Sequence, residues 1–127
     1  QRIYNYRIMK NTYKIPITED TFYLMFLNTI NGVLKFSDKE ILILNELIKY
    51  EVLYKTEPEI IFSTYTRKKI QTKLNISGSN LNNYIKSLKQ KGAIKTVNGI
   101  ERVDEKIIPL IQEGENSFDI TFSFIKQ

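Results

Sequence analysis

The chain contains no cysteine and no histidine, and only one alanine, Ala93. Without Cys or His there is no zinc finger, no thiol or imidazole nucleophile and no histidine acid–base chemistry. Structural disulfides are excluded as well, which fits a reducing, cytoplasmic setting. No apolar run approaches the ~20 residues that span a bilayer, and no secretory signal opens the sequence. A glycine-rich phosphate loop is missing too. The remaining acidic clusters, Asp104-Glu105 and Glu113/Glu115/Asp119, fall in expected turns without converging. The expectation is a protein that is not an enzyme and holds no metal or cofactor.

One absence is local. Between Glu59 and Glu101 there is no acidic residue, although the chain average of 14 acids in 127 residues would place four or five there. The same stretch carries Arg67, Lys68, Lys69, Lys73, Lys86, Lys89, Lys91 and Lys95, so it sums to +8 in a chain whose net charge is +5. A one-signed segment with the pattern of folded helices is the electrostatic signature of a polyanionic partner, nucleic acid above all. Lysine, isoleucine and asparagine are abundant throughout, as in AT-rich genomes, but that bias does not explain the missing acids.

What is present reads as a single folded domain of ordinary size, 42% hydrophobic with seven Phe and eight Tyr. Residues 1–17 are basic and aromatic, either an arm along a phosphate backbone or an edge strand ended by Pro16. Thr18 to Asn31 reads as a helix, within an N-terminal segment 18–36. Thr18 is its cap, Glu19 and Asp20 lie in its first turn, and Gly32 is its stop. Its apolar residues surround it, so it needs cover from the core or from a second copy. Ser37 and Glu40 form a capping box, with Phe36 and Ile41 as hydrophobic staple, for a helix to about Tyr50 carrying Ile41, Leu44, Leu47 and Ile48 on one face. Ile60-Ile61-Phe62 reads as a short strand. Thr66 opens a helix through Lys73, with Ile70 and Leu74 inward, and Asn75-Ile76-Ser77 is a turn. Ser77 caps the next helix, which buries Leu81, Ile85 and Leu88 and ends at Gly92. Asn98-Gly99 between two short β-patterns is a two-residue hairpin turn. Phe118, Ile120, Phe122 and Phe124 alternate with polar residues as a half-buried strand. The expected partner of that strand is the Pro109 segment, in a C-terminal hairpin over 104–127 turned by Gly114-Glu115-Asn116-Ser117.

The residues Leu74-x-Ile76-Ser77-x-Ser79-x-Leu81 and Ile85-x-x-Leu88-x-x-Lys91-Gly92-x-Ile94 resemble the second and third helices of winged helix–turn–helix DNA-binding domains. They are similar to regulators of the MarR type and to phage or plasmid replication proteins, over about residues 37–103. The family often places Arg near Asn83 and acids near Lys68 and Lys69, and this chain departs from it there. The resemblance implies an α+β fold: a winged helix with an added N-terminal helix and a C-terminal hairpin. It also implies a double-stranded DNA-binding protein that regulates transcription or replication in the cytoplasm of a bacterium or phage-infected cell. On that reading Ser77, Gly78, Ser79, Asn80, Asn82, Asn83 and Lys86 face the DNA from the recognition helix. Asparagine amides there suit adenine edges. Lys68, Lys69 and Lys73 meet flanking phosphates, and Lys95, Asn98 and Arg102 lie on the wing. A homodimer through helix 18–31 would suit a palindromic target. The competing expectation is a winged helix serving as a protein-interaction module in a larger assembly such as a virion or polymerase complex, docking through helix 18–31 or strand 118–124.

Overall fold

The computed structural model of the chain describes residues 8–16, 22–108 and 117–125, with side-chain surroundings for 22–31 and 35–108. In chain order its elements are β1 (Ile8–Pro16), α1 (Phe22–Leu34), α2 (Asp38–Leu53), α3 (Thr64–Leu74), α4 (Gly78–Gln90), β2 (Ile94–Val97), β3 (Ile100–Val103) and β4 (Ser117–Ile125). Short 3-10 turns stand at Pro58–Ile60 and Glu105–Ile107. Among the described residues the fold is α+β, with four α-helices and a β2–β3 antiparallel hairpin. Contacts group the chain into two compact units, one built on the β1–β4 ribbon and one on the continuous stretch Tyr23–Pro109.

In the first unit β1 and β4 pair antiparallel over nine positions, from Ile8↔Ile125 to Pro16↔Ser117. The strand pattern at 118–124 is therefore right in kind, and among the described residues its partner is β1 and not the 104–108 end of the expected hairpin. A period-two pattern specifies a strand and names no partner. The segment before Pro109 bends instead into the Glu105–Ile107 turn, where the Asp104 carboxylate accepts from the Lys106 N–H at 2.9 Å. Pro109 and the 114–116 turn lie outside the described residues, as do 1–7 of the expected arm.

In the second unit α2 runs across the core. Its capping box is complete: Ser37 Oγ accepts from the Glu40 N–H, and the Glu40 carboxylate accepts from the Ser37 N–H at 2.8 Å. Ile41, Ile43, Leu44, Leu47 and Ile48 are buried along the helix. Around them pack Leu27 of α1, Phe36, Ile61, Ile70 of α3, Leu81, Ile85 and Leu88 of α4, and Ala93, Ile94 and Val103 of the hairpin segment. Each of the Leu, Ile, Val and Phe side chains removed from water contributes about 1.5–3 kcal/mol before entropy is counted. Tyr23, Leu24 and Phe26 pack partly buried on the same core, which supplies the cover that so apolar a helix requires.

The boundaries depart from expectation in instructive places. Gly32 does not stop α1, which continues to Leu34. The turn comes at Lys35, with φ 59°, because the Asn31 amide braces it by accepting from the Phe36 N–H and donating to the Phe36 carbonyl. The start signal at Thr18, Glu19 and Asp20 lies outside the described residues. Ile60-Ile61-Phe62 is not a strand. The Ile60 carbonyl is occupied by the Ser63 and Thr66 hydroxyls, each at 2.7 Å, and so has no place in a ladder. The apolar run there marks core, since Ile61 is fully buried. For the same reason α3 starts at the Ser63 cap rather than at Thr66, whose side chain turns inward. No helix of the described residues is long and apolar enough to cross a membrane.

Candidate nucleic-acid interface

Helices α3 and α4 are joined by a turn that the sequence builds from three devices. Asn75 takes the left-handed conformation at φ 54°, and its N–H and that of Ile76 return to the Gln71 carbonyl. Ser77 Oγ accepts from the Asn80 N–H at 3.1 Å, capping α4. At Gly78 an added Cβ would lie 3.4 Å from the end of the Gln71 side chain, so the start of α4 lies in van der Waals range of α3. Leu81, Ile85 and Leu88 then hold α4 on the core.

That anchoring leaves Ser79, Asn80, Asn82, Asn83, Lys86, Lys89 and Gln90 exposed on the outer side of α4. They are not equally free. Asn82 Oδ1 accepts from Arg67 Nη1 at 2.6 Å, which takes one of its two lone pairs and fixes the orientation of the amide. Ser77 and Ser79 hydroxyls lie 3.5 Å apart. The side chains of Asn80, Asn83 and Lys86 have no hydrogen-bond or ionic partner among the described residues. On α3, Lys68 is likewise unpartnered and exposed, and the Lys69 ammonium lies 4.9 Å over the Tyr65 ring. Tyr65, Lys68, Lys69, Thr72 and Lys73 line one shallow groove on this helix.

The charge picture changes more than the positions do. Five of the eight cations in the acid-free segment meet acids brought in from outside it. Lys73 pairs with Glu46 at 3.1 Å, Lys91 with Glu40 at 2.7 Å, Lys95 with Glu105 at 3.2 Å, and Arg67 and Lys89 both with Glu101. The hydrogen bond that Lys73 donates to the Glu46 carboxylate raises its pKa, so that lysine stays charged, and its side chain is still 57% exposed. The unpaired positive charge is therefore concentrated on Lys68, Lys69 and Lys86.

Arg102 departs most clearly from the expected wing contact. Its Nε and Nη2 grip the Glu51 carboxylate at 2.8–3.2 Å, and the other side of that carboxylate accepts from the Val103 N–H at 2.9 Å. Glu51 is buried on α2, so Arg102 fastens the hairpin to the core and does not point outward as a phosphate ligand. Asn98 and Gly99, at φ 51° and 79°, make the two-residue turn as expected.

Three residues with roles at this surface were missed from sequence: Arg67, Lys89 and Glu101. The available signal was that Arg67 is the one arginine of the acid-free segment and Glu101 the acid that ends it. Among the described residues no group of carboxylates is placed to hold a metal ion. No protein-family model, curated protein or solved structure matches the chain.

Proposed function

We propose that residues 37–103 act as a winged helix–turn–helix that binds double-stranded DNA, with α4 entering the major groove and the β2–β3 hairpin as a short wing. The observation that carries this reading is the outer side of α4. Ser79, Asn80, Asn83 and Lys86 stand exposed on a helix anchored from behind, and neither α3 nor α4 contains an acid. Asn80 and Asn83 keep both donor and acceptor for an adenine edge. Lys68, Lys69 and Lys86 serve phosphates, and the first amides of α4 add a positive helix end. Since no arginine lies on α4, preference runs toward A·T pairs. A role in regulating transcription or replication follows from sequence-biased duplex binding. The reading needs no dimer through α1, whose Leu27 is fully buried in its own core.

Anisotropy of a labelled duplex, titrated at several salt concentrations, tests it. With roughly three or four phosphates contacted, log K should fall against log salt with a slope near −3 to −4. Lys68→Ala should weaken binding to all sequences alike, and Asn83→Ala should change sequence preference. A salt-independent or undetectable signal refutes the proposal. The second reading, a docking module in a larger assembly, is favoured by the exposed Val52, Leu53 and Tyr65 at the end of α2 and start of α3. It expects no duplex binding and association that Leu53→Asp abolishes.

A further inference from the structure

Arg67 is the most firmly held cation on the α3–α4 surface. Its Nε donates to the Phe62 carbonyl at 2.9 Å, which sets the plane of the guanidinium, and Nη1 donates to Asn82 Oδ1 at 2.6 Å. Nη2 is left facing Glu101 Oε1 at 3.4 Å, while Lys89 Nζ pairs with Glu101 Oε2. Arg67, Asn82, Ile85, Lys86 and Lys89 line one open groove. Three cations thus gather there against the single carboxylate of Glu101.

Glu101 is unlike the acids that hold the fold together. The Glu40, Glu46 and Glu51 side chains are 3%, 7% and 5% exposed, whereas that of Glu101 is 25% exposed. Glu40 and Glu51 also accept backbone N–H groups. The contacts of Glu101 are with cations, and the 3.4 Å separation from Arg67 is longer than the ~2.7–2.9 Å of a tight charge-assisted bond. A half-open carboxylate on two cations occupies the place a phosphate oxygen would take, since the guanidinium fork accommodates either.

We propose that this groove is a phosphate seat. Arg67 and Lys89, with Lys86 beside them, take one backbone phosphate of the bound duplex, and Glu101 fills the seat as an internal counter-ion until that phosphate displaces it. The inference rests on the duplex-binding reading. Its consequence is a threshold: Glu101 lowers affinity for every sequence equally, so weak, poorly fitted contacts fail to open the seat.

The test compares Glu101→Gln with the wild-type chain by duplex anisotropy. The variant should bind roughly three- to tenfold tighter, with a salt slope steeper by up to about 0.9, the value for one phosphate. Arg67→Lys in the same background keeps the charge, loses the fork and should cancel the gain. Unchanged or weaker binding by a normally folded Glu101→Gln overturns the seat and leaves duplex binding standing. Glu101→Thr serves the same comparison if the glutamine variant melts early. If wild type binds no duplex, the DNA reading falls separately, and the seat is judged with tripolyphosphate by NMR. Saturable shifts of the Arg67 Nε–H and Asn82 amide signals in Glu101→Gln, lost in Arg67→Lys, uphold an anion seat, and no shift overturns it.

Discussion

Glu40 has the most partners of any carboxylate described in the chain. It caps α2, accepts from Ser87 Oγ at 2.6 Å and pairs with Lys91 at 2.7 Å. Burial alone would raise its pKa, but the Lys91, Ser87 and Ser37 hydrogen bonds prevail and bring it from 4.5 to about 2. A carboxyl whose pKa is lower folded than unfolded stabilises fully above the unfolded value, and that stabilisation is lost as pH falls toward the folded one. Urea midpoints should therefore decline between pH 4.5 and about 2, a contribution of about 3 kcal/mol. Glu40→Gln should lack that component, and parallel curves for the two proteins would exclude the linkage. Arg102 and Glu51 make the second residue-scale case. Arg102→Ala strands a buried carboxylate and should cost about 3–5 kcal/mol in chemical unfolding, while Glu51→Leu with Arg102→Met should cost far less. Duplex affinity of the folded Arg102→Ala protein should not change. Nothing in the sequence separated Arg102 from Lys68 as candidate phosphate ligands. Which cation faces a buried acid depends on packing between residues about 50 positions apart.

At the scale of elements, what was legible was local chemistry. The Ser37/Glu40 box, the Ser77 cap, the inward Leu81, Ile85 and Leu88, the Gly92 stop at φ 80° and the Asn98-Gly99 turn all stand where side-chain rules put them. What escaped was set by interactions over longer spans. Gly32 was bypassed because the Asn31 amide closes the helix later, and the 60–62 strand was pre-empted by hydroxyls reaching the Ile60 carbonyl. The hairpin gives the test at this scale. Asn98 holds φ 51°, which costs a residue with a plain Cβ about 1 kcal/mol. Asn98→Ala should lower the melting temperature accordingly, and Asn98→Gly should leave it near wild type.

Across the whole molecule the acid-free segment is a property of the linear sequence more than of the surface. Its +8 is offset by Glu40, Glu46, Glu101 and Glu105, none of which is in it. A window of composition cannot see acids that folding brings from other elements, so of the eight cations in the one-signed segment only Lys68, Lys69 and Lys86 are left without an acidic partner among the described residues. The candidate site was legible as helix and face, therefore, but not as a list of free charges.

The β1–β4 ribbon adds a constraint on the order of events. Pro16 and Ser117 pair across about 100 intervening residues, so the ribbon carries a larger loop-closure cost than the 23–109 stretch, where the farthest side-chain hydrogen bond described joins residues 56 positions apart. On a nascent chain the helical unit can assemble while β1 still lacks its partner. Until β4 is synthesised, β1 is an unpaired strand edge beside an already folded neighbour in sequence, and that interval is when the protein is most open to pairing with another chain.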